Sequence, residues 1–286
     1  MTQPSTIGSY KVVRQLGSGL MGPVYLAANG NQYWALRTLD ERLMRTTAAV
    51  SKLVGEVAHP CLVRYRELGA DPQAGGFLST DYVEAHPIAR DLLADLRARE
   101  RLDCVLNLLG ALQTLHQRGG AHGNVKPSNV LLRRRGRQLD ALLIDAGFAY
   151  VSGAHNLARL LRGAYPWMAP ELIEAYQAGE RGGIDKAITV AADVYAAGIL
   201  VAEVFSGRQA FADARDVADL LNRKRRSKLA IAGVNLHHEH LDLGTLGDAV
   251  TAATNPDPGS RPATIPAFID ALKRAQPAPA PAAKAA

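Results

Sequence analysis

Residues 122–132, HGNVKPSNVLL, place a lysine and a Pro-Ser-Asn sequence directly before an aliphatic run. This combination suggests a catalytic loop for phosphate transfer. Asn124 stands where such a loop needs a carboxylate. Its amide oxygen accepts hydrogen bonds but has essentially no basicity near neutral pH. The loop therefore suggests phosphate transfer but lacks the carboxylate that would accept the proton.

A glycine-rich segment near the N-terminus offers a second element for phosphate binding. Gly17, Gly19 and Gly22 lie in the sequence GSGLMGPV, which has the spacing G-x-G-x-x-G-x-V. Glycine permits positive φ and lets main-chain amides approach phosphate oxygens closely. The same spacing occurs at the start of dinucleotide-binding helices and in hairpins that bind nothing. Because Val24 and Tyr25 favour a strand after the glycines, the dinucleotide interpretation is disfavoured.

Length and composition are those of a globular protein with one large domain or two lobes. The chain has 286 residues, and its net charge of +6 permits an acidic partner without requiring one. Cys61 and Cys104 are far apart and form no CxxC pattern, which argues against a disulfide framework or a zinc site. The N-terminus lacks the pattern of a signal peptide, and no apolar run has membrane-spanning length. We therefore expect a cytoplasmic protein.

Hydrophobic periodicity divides the chain into a strand-rich first part and a helical second part. The first part comprises a β-meander over 9–39, a helix over 41–58 and a strand pair over 61–68 and 76–83. The second comprises helices over 90–98, 102–119, 191–207, 214–226 and 263–275, with a β-rich insert over 129–145. The Pro/Ala-rich tail 276–286 is predicted to be a linker or disordered. This order predicts an α+β protein of two lobes, with a ligand site in the cleft between them.

Further short motifs follow the glycine-rich segment in a fixed order. Residues 35–37 (ALR) have the spacing of the strand motif V-A-I-K, and residues 122–129 resemble H-R-D-L-K-P-x-N. Residues 145–147 (DAG) and 169–171 (APE) stand at D-F-G and A-P-E, and Asp193 and Arg261 match later structural motifs. Over residues 8–275 the chain resembles the protein kinase family, in particular bacterial serine/threonine kinase-like domains. The resemblance implies a two-lobed protein kinase-like fold, with a small β-rich N-lobe of about residues 8–83 and a larger helical C-lobe of about residues 84–275.

The resemblance also implies that ATP or another nucleotide binds in the interlobe cleft, with Mg²⁺ or Mn²⁺ held by Asn129 and Asp145. The positions implied to bind the cofactor are Leu16, Gly17, Gly19, Gly22, Val24, Ala35, Arg37, Thr80, Asp81, Val83, Lys126, Asn129, Leu131 and Asp145. Two alternatives stay open. The glycines can simply preserve a hairpin, and Asp145 can form a salt bridge with Arg37 instead of binding a metal.

Positions that carry catalysis in the family hold different residues here. They are Arg37 in place of the strand lysine, Val50 in place of its partner glutamate, Asn124 in place of the catalytic aspartate, and Ala164 in place of the threonine that braces it. General base catalysis contributes about 10²–10⁴-fold to a rate. The changes therefore predict a pseudokinase with no intact catalytic set, used as a scaffolding or regulatory protein-binding module.

Two basic clusters bear on the choice of partner. We expect a solvated hairpin at Arg133, Arg134, Arg135 and Arg137, and an exposed helix end at Arg223, Lys224, Arg225, Arg226 and Lys228. Aromatic side chains do not interleave either cluster, which disfavours nucleic-acid binding. A protein partner docked on the C-lobe surface is favoured instead. No feature of the sequence specifies an oligomeric state.

Two other functions compete with the pseudokinase. One is an atypical weak serine/threonine kinase, or another nucleotide-dependent transferase, in which Arg37 and Lys126 share phosphate contacts. The other is a basic protein associated with nucleic acid. Ser152 is predicted to be an ordinary loop serine, and His122 to pack in the core. His237, His238 and His240 are too close together in the sequence to predict a metal site.

Overall fold

A computed structural model of the chain describes residues 4–19, 22–88, 96–136, 138–147, 163–179, 181–226, 229 and 241–275. The first part forms a curled antiparallel sheet with one helix, and the second part is mainly helical. The two-lobed α+β architecture predicted from the sequence is confirmed.

The N-lobe sheet contains six strands. They are β1 (Thr6–Ile7), β2 (Tyr10–Gly19), β3 (Gly22–Asn29), β4 (Gln32–Leu39), β5 (Tyr65–Asp71) and β6 (Gly75–Asp81). The order across the sheet is β1-β2-β3-β4-β6-β5, and each neighbouring pair is antiparallel. The tight turn predicted between β3 and β4 is present, with Gly30 at a φ of 60°. The sequence therefore predicted the meander correctly.

The strand predicted over 61–68 begins only at Tyr65. Residues before it contact the C-lobe instead: the Val63 amide donates to the Leu143 carbonyl at 2.9 Å, and the Leu143 amide donates to the Cys61 carbonyl at 2.8 Å. These hydrogen bonds satisfy the main chain without a sheet neighbour on β6. They also attach the edge of the N-lobe to the strand that leads into the cleft.

Helix α1 (Glu41–Gly55) packs against β5 and β6. The Asp40 carboxylate caps it by accepting a hydrogen bond from the Leu43 amide at 2.9 Å. Leu43, Val50 and Val54 are buried along one face, as their spacing predicted. The helix ends three residues before the predicted boundary at 58.

The C-lobe is built from seven helices among the described residues. They are α2 (Ala98–Gln117), α3 (Pro170–Ala178), α4 (Arg181–Ala187), α5 (Val190–Ser206), α6 (Val217–Arg226), α7 (Leu243–Ala253) and α8 (Ile265–Lys273). Helix α5 is buried on nearly every side, as its apolar composition predicted. Helices α3, α4 and α7 were not predicted from the sequence. Residues 90–95 of the predicted helix over 90–98, and the tail 276–286, lie outside the described residues.

A small second sheet connects the lobes and carries the polar end of the cleft. Its strands, in spatial order, are β7 (His86–Pro87), β8 (Val130–Arg135) and β9 (Gln138–Leu143). A single 3₁₀ turn over Pro127–Asn129 precedes β8, and Asp145 follows β9. The Ile144 amide donates to the Asn129 carbonyl at 3.0 Å. The hairpin thus brings its two flanking polar residues, Asn129 and Asp145, to the same end of the sheet.

Candidate functional site

A cleft of about 550 Å³ lies between the N-lobe sheet and the small second sheet. Every residue predicted to bind the cofactor lines it except Gly19 and Gly22. Val24 and Ala35 come from neighbouring strands of the N-lobe, and Leu131 comes from β8, so apolar side chains from both lobes form its walls. Arg37, Lys126, Asn129 and Asp145 also line it. The cleft therefore joins an apolar part to a polar, cationic part.

Several lining residues were not predicted from the sequence. They are Arg14, Ser18, Val63, Tyr65, Leu78, Ala85, Pro87, Ser128 and Ile144. Tyr65 is the most informative of them, because its hydroxyl donates to the Ala146 carbonyl at 2.8 Å and fixes the main chain beside Asp145. Burial raises the pKa of Tyr65 well above its usual value, so the phenol stays a donor. The two residues are 81 positions apart, so no local pattern in the sequence indicated this contact.

Gly22 lies against β4 rather than in the lining of the cleft. It pairs with Gly19 where β2 meets β3, and its φ is 119°. A Cβ at this position would lie 2.3 Å from the Thr38 carbonyl oxygen. Glycine is therefore required here by the close approach of two strands and by the positive φ. This requirement exists whether or not a ligand binds.

Arg37 and Asp145 form an ion pair in the polar part of the cleft. Arg37 Nη2 lies 2.8 Å from Asp145 Oδ1 and 2.7 Å from Oδ2. The side chains are 13% and 26% exposed, so solvent screens the pair only partly. Asp145 has a φ of 59°, which is unusual for a residue with a side chain although aspartate tolerates it better than most. Of the two roles left open by the sequence, the salt bridge is the one present in this structure.

Val50 occupies the place where α1 faces the segment after Asp145. Its Cγ1 would lie 2.6 Å from a Cβ added to Gly147, so an apolar methyl group closes the space beside this glycine. Glu56, the nearby carboxylate, is exposed at the C-terminal cap of α1. Helix α1 thus presents Val50, and not a carboxylate, toward this segment, which agrees with the pairing of Arg37 to Asp145.

The catalytic-loop segment is held in place by its own polar groups. Asn129 Nδ2 donates to the Asn124 carbonyl at 2.8 Å. Asn124 Oδ1 is buried and has no hydrogen-bond partner within the described part of the chain. Asn124 also lines a second cavity of about 10 Å³, which Ala164 lines as well. A small void lined by both residues therefore accompanies the missing hydroxyl at Ala164.

Lys126 is a second cation at the polar end of the cleft. Among the described residues its ammonium group has no hydrogen-bond or ion-pair partner, although it lies near enough to Asp145 for the two charges to interact. Burial lowers the pKa of Lys126, and the Asp145 carboxylate opposes that effect. A bound anion would favour its charged form.

His122 is a packed core residue, as predicted. Its side chain is fully buried, its Nε2 lies 3.0 Å from the Ile144 carbonyl, and its Nδ1 accepts from the Asn124 amide. Burial lowers the pKa of His122. Asp193 on α5 accepts from the amides of His122 and Gly123 at 2.7 and 2.8 Å, which anchors the loop to the C-lobe core.

The predicted magnesium ligands do not suit a divalent cation in this arrangement. Mg²⁺ usually binds proteins through one or two carboxylates, with phosphate and water completing its shell. Both oxygens of Asp145 are engaged by Arg37, and Asn129 contributes only a neutral amide. Together with Arg37, the donor set therefore carries no net negative charge. No cluster of three or more His, Cys, Asp or Glu side chains that could hold a metal occurs among the described residues either.

The prediction of an exposed basic end on α6 is wrong for Lys224. This residue is fully buried, and its Nζ donates to the Pro166 carbonyl at 2.7 Å. Arg223 pairs with Asp213, and Arg225 pairs with Glu174, so much of the remaining charge is neutralised. Packing of α6 against the loop before α3 explains the difference, since the sequence showed only a run of cations.

The predicted solvated hairpin at β8 and β9 also differs in part. Arg133 and Arg135 both pair with the buried carboxylate of Asp140 across the strands, while Arg134 is exposed. Arg137, Ser152, Lys228, His237, His238 and His240 lie outside the described residues. Neither basic cluster forms a continuous field of unpaired charge where the structure describes it.

The fold and the cleft define a protein kinase-like domain. An ion pair between Glu171 and Arg261, at 2.7 and 2.9 Å, joins α3 to the loop before α8, and the Arg261 side chain is fully buried. The family model described as "Protein kinase domain" matches residues 10–266. The chain therefore belongs to the protein kinase family.

Two similar proteins are bacterial kinases. The chain is 27% identical over 282 residues to "Serine/threonine-protein kinase Pkn1" of Myxococcus xanthus, covering 93% of this chain and 38% of that protein. It is 26% identical over 230 residues to "Probable serine/threonine-protein kinase pknA2" of Bifidobacterium longum, covering 71% of this chain and 27% of that protein. The chain thus spans well under half the length of each of these two relatives.

Solved kinase structures share the fold. The kinase domain of PknI from Mycobacterium tuberculosis matches with a TM-score of 0.67 at 23% identity, covering 96% of this chain and 99% of that one. Rad53 in complex with AMP-PNP matches with a TM-score of 0.70 at 16% identity, covering 92% of this chain and 64% of that one. In the part of this chain that the structure describes, no helix is long and apolar enough to cross a membrane.

Proposed function

We propose that the chain is a pseudokinase domain. It binds a nucleotide in its interlobe cleft, does not transfer phosphate, and acts as a scaffolding or regulatory module for a protein partner. The observation that carries this proposal is the ion pair between Arg37 and Asp145. In active protein kinases the strand lysine pairs with a helix glutamate, and the aspartate of D-F-G holds metal. Here the strand cation is bonded to that aspartate itself.

The position of the proton acceptor supports the same proposal. Asn124 offers an amide oxygen that is buried and unsatisfied, in place of a carboxylate facing a substrate hydroxyl. Loss of a general base costs about 10²–10⁴-fold in rate. Ala164 adds no hydroxyl to orient the loop. The two changes act on one step, so their effects need not multiply.

Ligand binding is supported by the form of the cleft. A volume of about 550 Å³ is within the usual range of small-molecule sites. Val24 and Leu131 lie on opposite lobes and suit a flat apolar ring, whereas Arg37 and Lys126 suit anionic groups at the polar end. A purine nucleotide combines these two features.

Without phosphate transfer, such a domain would act through binding to other proteins. We propose that the partner binds the C-lobe surface and that the protein is cytoplasmic, as expected from the sequence. The partly neutralised charge on α6 favours a protein partner over nucleic acid, because a nucleic-acid site needs clustered unpaired cations.

A phosphate-transfer assay tests the central claim. The purified chain is incubated with γ-labelled ATP and a generic acceptor protein, in Mg²⁺ and in Mn²⁺, beside the variant Asp145→Ala. We expect no transfer above that control. Transfer well above it would overturn the pseudokinase proposal.

One observation favours the weak-transferase alternative: Arg37 and Lys126 both line the cleft and together could contact a polyphosphate. The double variant Arg37→Lys, Asn124→Asp restores the side chains that the family uses at both positions. If the unmodified chain already transfers phosphate as fast as this variant, the alternative replaces the pseudokinase. If only the double variant transfers phosphate, Arg37 and Asn124 account for the inactivity of the unmodified chain.

A further inference from the structure

The acidic groups of the cleft are already paired with guanidinium groups. Among the described residues, only two carboxylates line it, Asp81 and Asp145. Arg66 binds Asp81 through Nε and Nη2, and Arg37 binds Asp145 through Nη2. No carboxylate in the described lining therefore offers an uncompensated negative charge to a cation.

We propose that the cleft binds a nucleoside diphosphate or triphosphate without a divalent cation, and that the Arg37 guanidinium bound to Asp145 takes the place of the metal. This inference rests on the proposed function, because it assumes that a nucleotide occupies the cleft. It adds the chemistry by which the phosphates are neutralised.

Entry of a metal at Asp145 would require Arg37 to leave. The Arg37 side chain is only 13% exposed, so breaking the pair would leave a largely desolvated cation without this partner. A guanidinium stays charged at every physiological pH and is weakly hydrated, which suits it to a semi-buried site beside phosphate. A divalent ion gains little in exchange, since Asn129 adds only one neutral amide.

The remaining cations of the lining favour an anion in the absence of metal. Lys126 and Arg14 line the cleft in addition to Arg37, and the Asp145 carboxylate acts on the Lys126 ammonium. Since the Arg37–Asp145 pair is neutral as a unit, Lys126 and Arg14 leave the lining with net positive charge. Metal-free polyphosphates carry the greater negative charge, so they gain most from such a site.

Isothermal titration calorimetry of the purified chain with ATP and ADP tests the inference. The titrations are run in EDTA and in excess Mg²⁺, at one ionic strength. We expect binding in EDTA to be at least as tight as in Mg²⁺. Binding that is about tenfold or more tighter in Mg²⁺, which corresponds to about 1.4 kcal/mol, would overturn the inference, and so would the absence of binding in both solutions.

The variant Arg37→Met provides the second measurement. We expect it to weaken ATP binding in EDTA by about tenfold or more, because a charge-assisted contact to phosphate is lost. We also expect Mg²⁺ to restore part of that binding, since Asp145 is released from its partner. Arg225→Met is the matched control: it removes an arginine from an ion pair with Glu174 on the surface of the C-lobe. Arg225→Met should bind ATP as tightly as the unmodified chain does, both in EDTA and in Mg²⁺.

The two proposals fail in different assays. If nucleotide binding needs Mg²⁺ while phosphate transfer stays at the level of Asp145→Ala, the inference is wrong and the pseudokinase stands. If transfer is observed, the pseudokinase is wrong whatever the titrations show. Should Arg37→Met fail to fold, the comparison of EDTA with Mg²⁺ on the unmodified chain still decides the inference.

Discussion

The buried lysine of α6 makes the stability of the C-lobe depend on pH. Lys224 Nζ lies 4.8 Å from the ring centre of Tyr195 and 4.7 Å from that of Phe211, and it donates to the Pro166 carbonyl. Burial lowers the pKa of Lys224 from 10.5 to about 7, against the opposing effect of the nearby carboxylates of Glu203 and Glu171. Arg261 adds to the lowering.

The sign of the pH dependence follows from the two states of this group. Between pH 7 and about 10.5 the unfolded chain holds a proton on Lys224 that the folded chain has lost. The free energy of unfolding due to this group therefore rises with pH in that range. Below pH 7 both states are protonated, and the folded state carries the full cost of the buried charge. Between pH 7 and pH 9 the rise amounts to about 2 kcal/mol, on the scale of 1.36 kcal/mol per pKa unit.

Urea denaturation of the unmodified chain and of Lys224→Met at pH 6, 7, 8 and 9 measures this effect. Methionine has a similar length and no charge, so loss of the Pro166 contact adds an offset that does not vary with pH. We expect the difference in unfolding free energy between the two proteins to favour the lysine by about 2 kcal/mol more at pH 9 than at pH 7. Arg226→Met on the same helix removes a cation that does not titrate in this range. The difference in unfolding free energy between this variant and the unmodified chain should therefore not vary with pH. A difference for Lys224→Met that stays constant within about 0.5 kcal/mol would refute the reasoning.

Three further predictions concern stability. Arg37→Met and Asp145→Asn, alone and combined, should show a coupling energy of about 1–3 kcal/mol in urea denaturation, because the ion pair is neither fully buried nor exposed. A coupling energy below about 0.3 kcal/mol would contradict the ion pair. Gly22→Ala should lower the free energy of unfolding by about 1–3 kcal/mol more than Gly30→Ala, whose added Cβ would meet open space. Equal losses in the two variants would show that the close contact with β4 is unimportant. Ala164→Ser should raise the free energy of unfolding by about 1 kcal/mol, because its hydroxyl would enter the small cavity that Asn124 also lines. A lower free energy of unfolding in this variant would contradict that.

Much of the fold was predictable because local patterns and tertiary packing agree. The alternation and tight turn of the meander specify strands, the aspartate before α1 specifies where that helix starts, and the apolar composition of α5 specifies its burial. The helices α3, α4 and α7 were missed. Each is short, and their burial depends on neighbours that the sequence does not place beside them.

Most of the cleft was also predictable, since its residues sit in short motifs with fixed spacing. The surrounding contacts were not: Tyr65 reaches the main chain of Ala146 across 81 positions of the chain, which no local pattern indicates. Lys224 belongs to a run of cations that is typical of an exposed surface, and one helical turn decides which of them faces the core.

The sequence by itself determined the kinase fold and the loss of a carboxylate at Asn124, because residue type and motif order are properties of the chain. It left the role of Asp145 open, since a carboxylate can bind a metal or a guanidinium equally well in principle. Only the tertiary structure shows that Arg37 is the group paired with it. It brings Arg37 within 2.7 Å of a carboxylate 108 positions away and packs Val50 where a competing carboxylate would stand. The pairing rests on distance, which is not fixed until the two lobes are folded together.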